Sequence, residues 1–259
     1  HHDDSELMNE RIAEAHRRLE PRGLLHAVVD TARDRLVQGR IKRVFGDVSM
    51  APDATHDGLI LTARKRPDSR PPKPQASRSF TMIEGDRTIT LTSRPGVFAA
   101  GKLDDGARAL IREMIVEDDD RVLDLGSGLG VVGLAAAHRR ALKSLTFVDA
   151  NPRALGLAAA NASANPTAHP MVVEAILTSR PDESLPGAAF EAVLANPPYY
   201  SDFRIADLFV RTTVRALTPK GRGHFVTKQP EWFRTALKHN FPNVREVRRG
   251  GYSVFIVSK

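Results

Sequence analysis

The sequence predicts an α/β fold with a doubly wound, mostly parallel sheet, and three of its features support this prediction. Apolar segments typical of buried strands alternate with helical segments through the C-terminal two-thirds of the chain. A glycine-rich turn joins the first of these strands to the helix that follows it. A segment near the N-terminus also repeats the pattern of the C-terminal segment, which indicates part of a second, similar domain.

The elements of the C-terminal domain follow from local patterns along the chain. Apolar and polar residues alternate over Phe80–Thr92 around Gly85-Asp86, which predicts a β-hairpin, and a helical pattern then runs from Leu103 to about Ile115. The strands expected after it are 122–125, 144–149, 171–176, 191–195 and 223–228, and the helices are 131–140, 154–162 and 206–216. Their alternation predicts parallel strands joined by helical crossovers.

An internal repeat shapes the expectation for the N-terminal part. Residues 17–30, RRLEPRGLLHAVVD, match residues 215–228, RALTPKGRGHFVTK, and each copy leads to an apolar strand that ends at a basic residue. The second copy is the end of the C-terminal domain, a helix followed by a β-hairpin. We therefore expect residues 1–64 to be the helix and β-hairpin of a partial, degenerate domain whose front half is absent.

Residues 65–78 are rich in proline and basic side chains, which predicts an extended linker. The expected organisation is therefore 1–64, a linker at 65–78 and a catalytic domain at 79–259. The net charge is +7, and residues 1–64 hold ten basic and eleven acidic residues, whereas the remainder holds 28 basic and 20 acidic ones. The basic excess of the linker and the C-terminal domain would attract a polyanion such as RNA.

Composition excludes several classes of protein. The chain has no cysteine, so disulfides, thiolate zinc sites and cysteine nucleophiles are excluded. It contains no run of about 18 apolar residues, and its first ten residues are polar and acidic, unlike a signal peptide. The histidines show no metal-ligand spacing. We expect a cytoplasmic monomer without a metal ion or a membrane segment.

The glycine-rich turn predicts a site for a nucleotide-like ligand. Gly126, Gly128 and Gly130 let the backbone adopt positive φ and approach a ligand closely, and the next helix directs free N–H groups toward it. Gly128, Gly130 and Gly133 also form the dinucleotide fingerprint, so a hydride-transfer enzyme is an alternative. Asp124 disfavours that alternative, because a carboxylate would repel a pyrophosphate but suits the cationic amino group of a methionine moiety.

Asp149 ends the second predicted strand, 21 positions after Gly128. An acid at this position can accept hydrogen bonds from both ribose hydroxyls of a bound nucleoside. The alternative interpretation is that the segment from Asp149 to Pro152 is a capping box for the next helix. The spacing from the glycine turn favours the binding role.

The sequence Asn196-Pro197-Pro198-Tyr199, directly after the fourth strand, is its most specific chemical signal. An exocyclic or amide NH2 is a poor nucleophile because its lone pair is delocalised. The Asn196 side-chain oxygen and the Pro197 carbonyl can each accept one of its N–H groups, which turns the lone pair toward an electrophilic methyl. The prolines remove two backbone donors, and Tyr199 offers a flat face for stacking on a base.

With these motifs, the chain over residues 80–259 resembles the class I S-adenosylmethionine-dependent methyltransferases of the small-domain type. It is most similar to the bacterial ribosomal RNA guanine-N2 methyltransferases, which have two tandem methyltransferase-like domains. The resemblance implies a Rossmann-like seven-stranded sheet with a C-terminal antiparallel hairpin. It also implies S-adenosylmethionine as cofactor and a ribosomal RNA or ribosomal subunit as partner. The implied cofactor residues are Phe98, Asp124, Gly126, Ser127, Gly128, Gly130, Asp149, Ala150 and Asn196, and the implied catalytic residues are Asn196, Pro197 and Tyr199.

Two departures from that family keep other amine substrates open. The family's usual motif has phenylalanine where this chain has Tyr199, and tyrosine is more typical of enzymes that methylate adenine N6 or protein glutamine. No clear acid follows the third strand to hold the adenine ring, although Glu174 is one candidate. One alternative is therefore a protein glutamine N5-methyltransferase. A second alternative, of a different class, is a non-catalytic RNA-binding paralogue.

Overall fold

The computed structural model describes residues 2–30, 35–54, 57–70, 73, 77–99, 101–198 and 202–259. The chain forms two compact units, His1–Ser77 and Arg78–Lys259. Within the described residues, no helix is both long enough and apolar enough to cross a bilayer.

The smaller unit contains two helices and a three-stranded antiparallel sheet. The elements are α1 (His2–Arg18), β1 (Leu24–Val29), α2 (Arg35–Phe45), β2 (Val48–Pro52) and β3 (Leu59–Arg64). Strand β3 lies between β1 and β2. The prediction of one helix and a β-hairpin is incomplete, because β1 and α2 lie between them. The sequence does contain an amphipathic pattern for α2, because the apolar residues Val37, Ile41 and Phe45 recur every four positions. All three are buried in the structure.

The first residues after β3 pack on the smaller unit instead of forming an extended linker. The guanidinium of Arg66 forms an ion pair with Asp47 at 2.7 Å. The hydroxyl of Ser69 lies 2.8 Å from Nε2 of the buried His16. The predicted linker at 65–78 is therefore too long at its start, and its last residue, Arg78, is the first of a strand.

The larger unit begins with a β-hairpin and continues as a strand–helix alternation. The hairpin and the sheet strands are β4 (Arg78–Glu84), β5 (Arg87–Ser93), β6 (Arg121–Leu125), β7 (Ser144–Asp149), β8 (Val172–Leu177), β9 (Phe190–Ala195), β10 (Leu217–Thr227), β11 (Asn243–Arg249) and β12 (Tyr252–Ser258). The helices are α3 (Asp105–Glu113), α4 (Val131–Arg139), α5 (Pro152–Ala164), α6 (Pro181–Ser184), α7 (Arg204–Ala216) and α8 (Pro230–Asn240).

The seven sheet strands are ordered β11-β12-β10-β9-β6-β7-β8. Strand β12 is antiparallel to both of its neighbours, and the pairs from β10 to β8 are parallel. This arrangement confirms the predicted Rossmann-like sheet with its C-terminal antiparallel hairpin. Because the chain runs from β6 outward to β8 and then returns to β9, the strand order reverses between β6 and β9. Ligands bind at the carboxyl ends of strands at such a point in doubly wound sheets.

Both faces of the sheet are covered by helices, and the side chains of its central strands alternate between two apolar cores. On one face, residues such as Val122, Leu145 and Leu194 pack with α3, α4 and α5. On the other face, Leu123 and Val193 pack with α7 and α8. Central strands such as β6, β9 and β12 are buried on both sides, which explains their nearly continuous apolar sequences.

The internal repeat predicted from the sequence has a structural counterpart. The segments from α1 to β3 and from α7 to β12 have the same order of elements, and in each the last strand lies between the other two. In each segment, the lysine that directly follows the last strand also makes the same bond. Lys65 Nζ donates to the Leu19 carbonyl at 2.7 Å, and Lys259 Nζ donates to the Leu217 carbonyl at 2.6 Å.

One pair of residues in the repeat yields a test of stability against pH. His224 is completely buried, and its Nε2 accepts from the Ile115 N–H at 3.0 Å, so the proton lies on Nδ1, facing the Val193 carbonyl at 3.3 Å. Burial lowers the pKa of His224 to about 4. Between pH 6.5 and 4 the unfolded chain therefore binds a proton that the folded chain excludes. The larger unit should lose up to about 3 kcal/mol of stability as the pH falls through this window.

The contribution of His224 is isolated by comparing variants in denaturant titrations at several pH values. His224→Gln should give a flatter dependence of stability on pH between 6.5 and 4, whatever its level at neutral pH. The matched control is His26→Gln, because His26 is the equivalent residue of the repeat and is exposed beside Thr62. Parallel curves for the parent and His224→Gln would contradict the assignment.

Candidate active site

The glycine-rich turn and the Asn196 motif meet at the point where the strand order reverses. Strands β6 and β9 are parallel neighbours, and Leu125 pairs with Ala195 at their carboxyl ends. Gly126 and Asn196 are the next residues along each strand, so the two motifs start side by side. Residues 70 positions apart are thus brought together by one strand pairing.

The glycine turn has the backbone that its sequence predicts. Gly126, Gly128 and Gly130 adopt φ values of +72°, +54° and +79°, which side-chain-bearing residues rarely adopt. The N–H groups of Gly126 and Ser127 both donate to the Val148 carbonyl, at 2.8 and 3.0 Å. A Cβ at Gly126 would lie 2.8 Å from the Phe209 ring, whereas one at Gly128 would meet no atom within 4 Å. The turn is therefore packed against Phe209 at Gly126, whereas it borders open space at Gly128.

Asp124 lies beneath this turn and is 4% exposed. Its Oδ2 accepts from the Gly133 N–H in the first turn of α4 at 2.9 Å. Burial raises the pKa of Asp124 to about 7; the Gly133 hydrogen bond opposes the rise and the charge of Asp149 adds to it. Gly133 is small for a packing reason, since a Cβ there would lie 2.9 Å from the Asp124 carboxylate. The contact of Asp124 with a methionine amino group stays a prediction.

Asp149 connects the glycine turn to the start of the next helix. Its Oδ2 accepts from the Gly128 N–H at 2.9 Å, and its Oδ1 accepts from the Asn151 N–H at 2.8 Å. The N-cap of α5 is Asn151, whose side chain accepts from the Arg153 N–H. Each carboxylate oxygen of Asp149 keeps lone pairs for a further donor, so the arrangement suits two ribose hydroxyls.

The segment before α3 lies against the same turn. The amide of Asn151 donates to the Gly96 carbonyl at 2.9 Å, and the buried Val97 packs with Leu129 of the turn. Phe98 is 65% exposed, and Ala150 is exposed as well. Both residues are exposed beside the turn, and their role in cofactor binding stays a prediction.

Asn196 is held by a residue that the sequence reasoning did not assign. Its amide Nδ2 donates to Oδ2 of Asp104 at 3.1 Å, and the same oxygen caps α3 by accepting from the Ala107 N–H at 3.0 Å. A Cβ at Gly106 would lie 2.8 Å from Asp104 Oδ2 and 3.2 Å from Asn196 Oδ1. The sequence reasoning placed Asp104 inside the helix predicted from Leu103 to about Ile115, whereas the structure starts that helix at Asp105 and makes Asp104 its N-cap.

The rest of the Asn196 motif is described in part. Pro197 is buried and Pro198 is half-buried directly after β9. Tyr199, the predicted stacking residue, lies outside the described residues.

The described residues fit the nucleoside and methionine parts of S-adenosylmethionine. Ser127 Oγ is buried and has no hydrogen-bond partner within the described part of the chain. Gly128 leaves open space for a ligand, and Asp149 offers further acceptor sites. Among the described ranges, no three His, Asp or Glu residues lie close enough together to hold a metal ion.

Comparison with known proteins agrees with this geometry. The model of the methyltransferase small domain family matches residues 88–256. The ribosomal RNA small subunit methyltransferase C of Hahella chejuensis is 33% identical over 153 residues, which are 56% of this chain and 43% of that protein. The ribosomal RNA large subunit methyltransferase G of Shewanella sediminis is 31% identical over 180 residues, which are 66% of this chain and 43% of that protein.

A solved structure extends the comparison to nearly the whole chain. The 16S rRNA N2-guanine methyltransferase of T. thermophilus, in complex with AdoMet and guanosine, superposes with a TM-score of 0.81 at 21% identity. The match covers 97% of this chain and 68% of that one. This likeness concerns the fold. The chain spans less than half the length of the two curated relatives above.

Proposed function

Because the chain belongs to the methyltransferase small domain family, we propose that it transfers a methyl group from S-adenosylmethionine to the exocyclic amine of a guanine in ribosomal RNA. One observation carries this proposal. The ligand-binding turn at Gly126 and the side chain that suits an amine, Asn196, follow directly from paired positions of β6 and β9.

The cofactor would be held by the turn and by its supporting acid. The N–H groups at the start of α4 and the open face at Gly128 suit the methionine part, and Asp149 suits the ribose. When bound, S-adenosylmethionine supplies an electrophilic methyl on its sulfonium. The proposed cofactor residues remain Phe98, Asp124, Gly126, Ser127, Gly128, Gly130, Asp149, Ala150 and Asn196.

The chain's own contribution to the chemistry is orientation of the amine. Asn196 Oδ1 and the Pro197 carbonyl accept the two N–H groups, so that the nitrogen lone pair points toward the methyl. Such placement acts through proximity and through polar groups that need no reorganisation during the reaction. Tyr199 completes the proposed catalytic set as the surface on which the base stacks.

Charge and the relatives' names support an RNA substrate. Residues 65–259 carry 28 basic and 20 acidic residues, a balance that favours a polyanion. The relatives are named for the small and the large ribosomal subunit, and the solved structure was determined with guanosine. We also propose that residues 1–64 are the end of a degenerate methyltransferase-like domain, since they share the order of elements from α7 to β12.

The experiment incubates the protein with methyl-labelled S-adenosylmethionine and, separately, small subunits, large subunits, naked rRNA, tRNA and a release factor. Nucleosides are then separated and identified. Label in N2-methylguanosine from a ribosomal RNA arm is expected. Label in the release factor alone would indicate the glutamine N5 reaction instead, and label in N6-methyladenosine would change the base. No label in any arm would favour the non-catalytic paralogue.

A further inference from the structure

We propose that Asp104 is a positioning residue for Asn196, whose amide it holds in the one orientation that leaves the side-chain oxygen as the acceptor. This inference rests on the proposed function, because it concerns the residue that would bind the substrate amine. It adds the N-cap residue of α3 to a site otherwise built from the ends of β6, β7 and β9.

The orientation follows from which atoms can donate. A carboxylate has only acceptor oxygens, so the side chain of Asn196 can bond to Asp104 Oδ2 only through its NH2 group. The 3.1 Å distance between Asn196 Nδ2 and Asp104 Oδ2 therefore fixes which way the amide faces. Without Asp104, the amide could turn by half a rotation and present its NH2 group to the substrate. An NH2 group would repel the amine that the oxygen is meant to hold.

Asp104 is itself held in place. Its Oδ2 accepts from the Ala107 N–H at 3.0 Å, and its carbonyl accepts from the Arg108 N–H at 2.9 Å. The side chain is thus anchored to the N-terminus of α3, a helix whose Leu110 is completely buried in the core. A rigid helix start is a better support for a catalytic side chain than a loop.

The contact between Asp104 and Asn196 is closely packed by Gly106 and by the ring of Tyr252. A Cβ at Gly106 would lie 2.8 Å from Asp104 Oδ2, 3.0 Å from Tyr252 Cε1 and 3.2 Å from Asn196 Oδ1. Tyr252 is 7% exposed and begins β12, which brings its ring to the carboxyl ends of the parallel strands. The Asp104–Asn196 pair is therefore packed on the Gly106 and Tyr252 sides, which restricts rotation of the amide.

The bond also strengthens the acceptor. A donor that bonds to a charged acceptor makes a shorter and stronger hydrogen bond than one between neutral groups. Donation from Asn196 Nδ2 to the Asp104 carboxylate polarises the amide and raises the negative charge on its oxygen. That oxygen then holds an N–H of the substrate amine more firmly.

Two functions of Asp104 must be separated in the test, because it caps α3 and bonds Asn196 with one oxygen. Asp104→Ser keeps a capping oxygen but is too short to reach the amide of Asn196. Asp104→Asn keeps an oxygen that can both cap α3 and accept from Asn196. The two groups that bond to this oxygen, the Ala107 N–H and the Asn196 amide, are both donors. Asp105→Ser is the matched control, since Asp105 is the next residue along the chain and is exposed.

The experiment measures kcat and KM for methyl transfer to the rRNA substrate, Kd for S-adenosylhomocysteine by calorimetry, and Tm. Asp104→Ser should lower kcat at least tenfold while Kd and Tm stay close to the parent. Asp104→Asn should recover most of the loss, and Asp105→Ser should match the parent. In an Asn196→Ala background, Asp104→Ser should cause no further loss, because two residues that act through one contact are not additive.

The outcomes distinguish this inference from the proposed function. A parent that methylates no rRNA guanine would refute the function itself. An active parent with a fully active Asp104→Ser variant would refute only the positioning role. Equal losses in Asp104→Ser and Asp104→Asn would overturn it, because only the second variant keeps an oxygen within reach of Asn196. A further loss in the Asn196→Ala background would also overturn it, because an effect of Asp104 on capping or folding adds to the loss of Asn196.

Discussion

Replacing Asn196 by alanine should lower kcat for methyl transfer by about 10²–10³-fold and leave the affinity for S-adenosylhomocysteine close to that of the parent. The size follows from the loss of one well-oriented polar contact to the reacting group, which costs about 3–4 kcal/mol in the barrier. Asn196 is the proposed support of the substrate amine. It is also among the proposed cofactor residues, but the glycine turn and Asp149 supply most of the proposed cofactor contacts. The variant should therefore bind cofactor and fail in catalysis.

The measurement is steady-state kinetics at saturating cofactor for kcat, with calorimetry for the affinity of S-adenosylhomocysteine. Asn240→Ala is the matched control, since Asn240 is exposed at the end of α8 and its side chain donates to the Ala236 carbonyl of the same helix. It should keep the parent's kcat. Near-normal turnover by Asn196→Ala on the true substrate would contradict the role of Asn196 and the claim that an amine nitrogen is the target.

Much of the larger unit could be predicted from the sequence because its signals are local. Strands buried on both faces are short apolar runs, and the six-residue run Ser144–Asp149 agrees with the structure at both ends. The hairpin was marked by Gly85-Asp86, where Gly85 adopts φ of +60° between the paired Glu84 and Arg87. The positive φ angles of the glycine turn were likewise encoded by residue type.

What could not be predicted depends on contacts between distant residues. The bond between Asp104 and Asn196 joins residues 92 positions apart, and no local pattern specifies which carboxylate meets which amide. Glu174, the candidate acid for the adenine ring, is a case in which a residue near in sequence lies too far away. It is in the middle of β8, where it pairs with Thr146 of β7. The strand ends three residues later, at Leu177, so Glu174 lies about 10 Å from the edge where the adenine would bind. Strand register decides the position of Glu174 and the packing of α3 on the sheet decides the Asp104 contact, and only the complete fold fixes either one.

Replacing Asp149 by alanine should have the opposite effect to Asn196→Ala: a large loss of cofactor affinity and a smaller loss of kcat at saturation. The carboxylate is proposed to accept both ribose hydroxyls, and it also bonds the N–H groups of Gly128 and Asn151. Hydrogen bonds to charged groups contribute about 1.5–3 kcal/mol each. Losing two of them should raise Kd for S-adenosylhomocysteine by about 10²-fold or more.

The direct role of Asp149 must be separated from its support of the turn, and Asn151→Ala makes that separation. This variant removes the cap of α5 and the bond to the Gly96 carbonyl, so it loosens the same region, but it leaves the Asp149 carboxylate in place. If Asp149 binds the ribose, Kd measured by calorimetry should rise far more in Asp149→Ala than in Asn151→Ala. Turnover of Asp149→Ala should then recover as the cofactor concentration is raised, because the groups that orient the amine are intact. Equal losses of affinity in the two variants would mean that the carboxylate acts only by closing the turn, and the proposed ribose contact would be wrong.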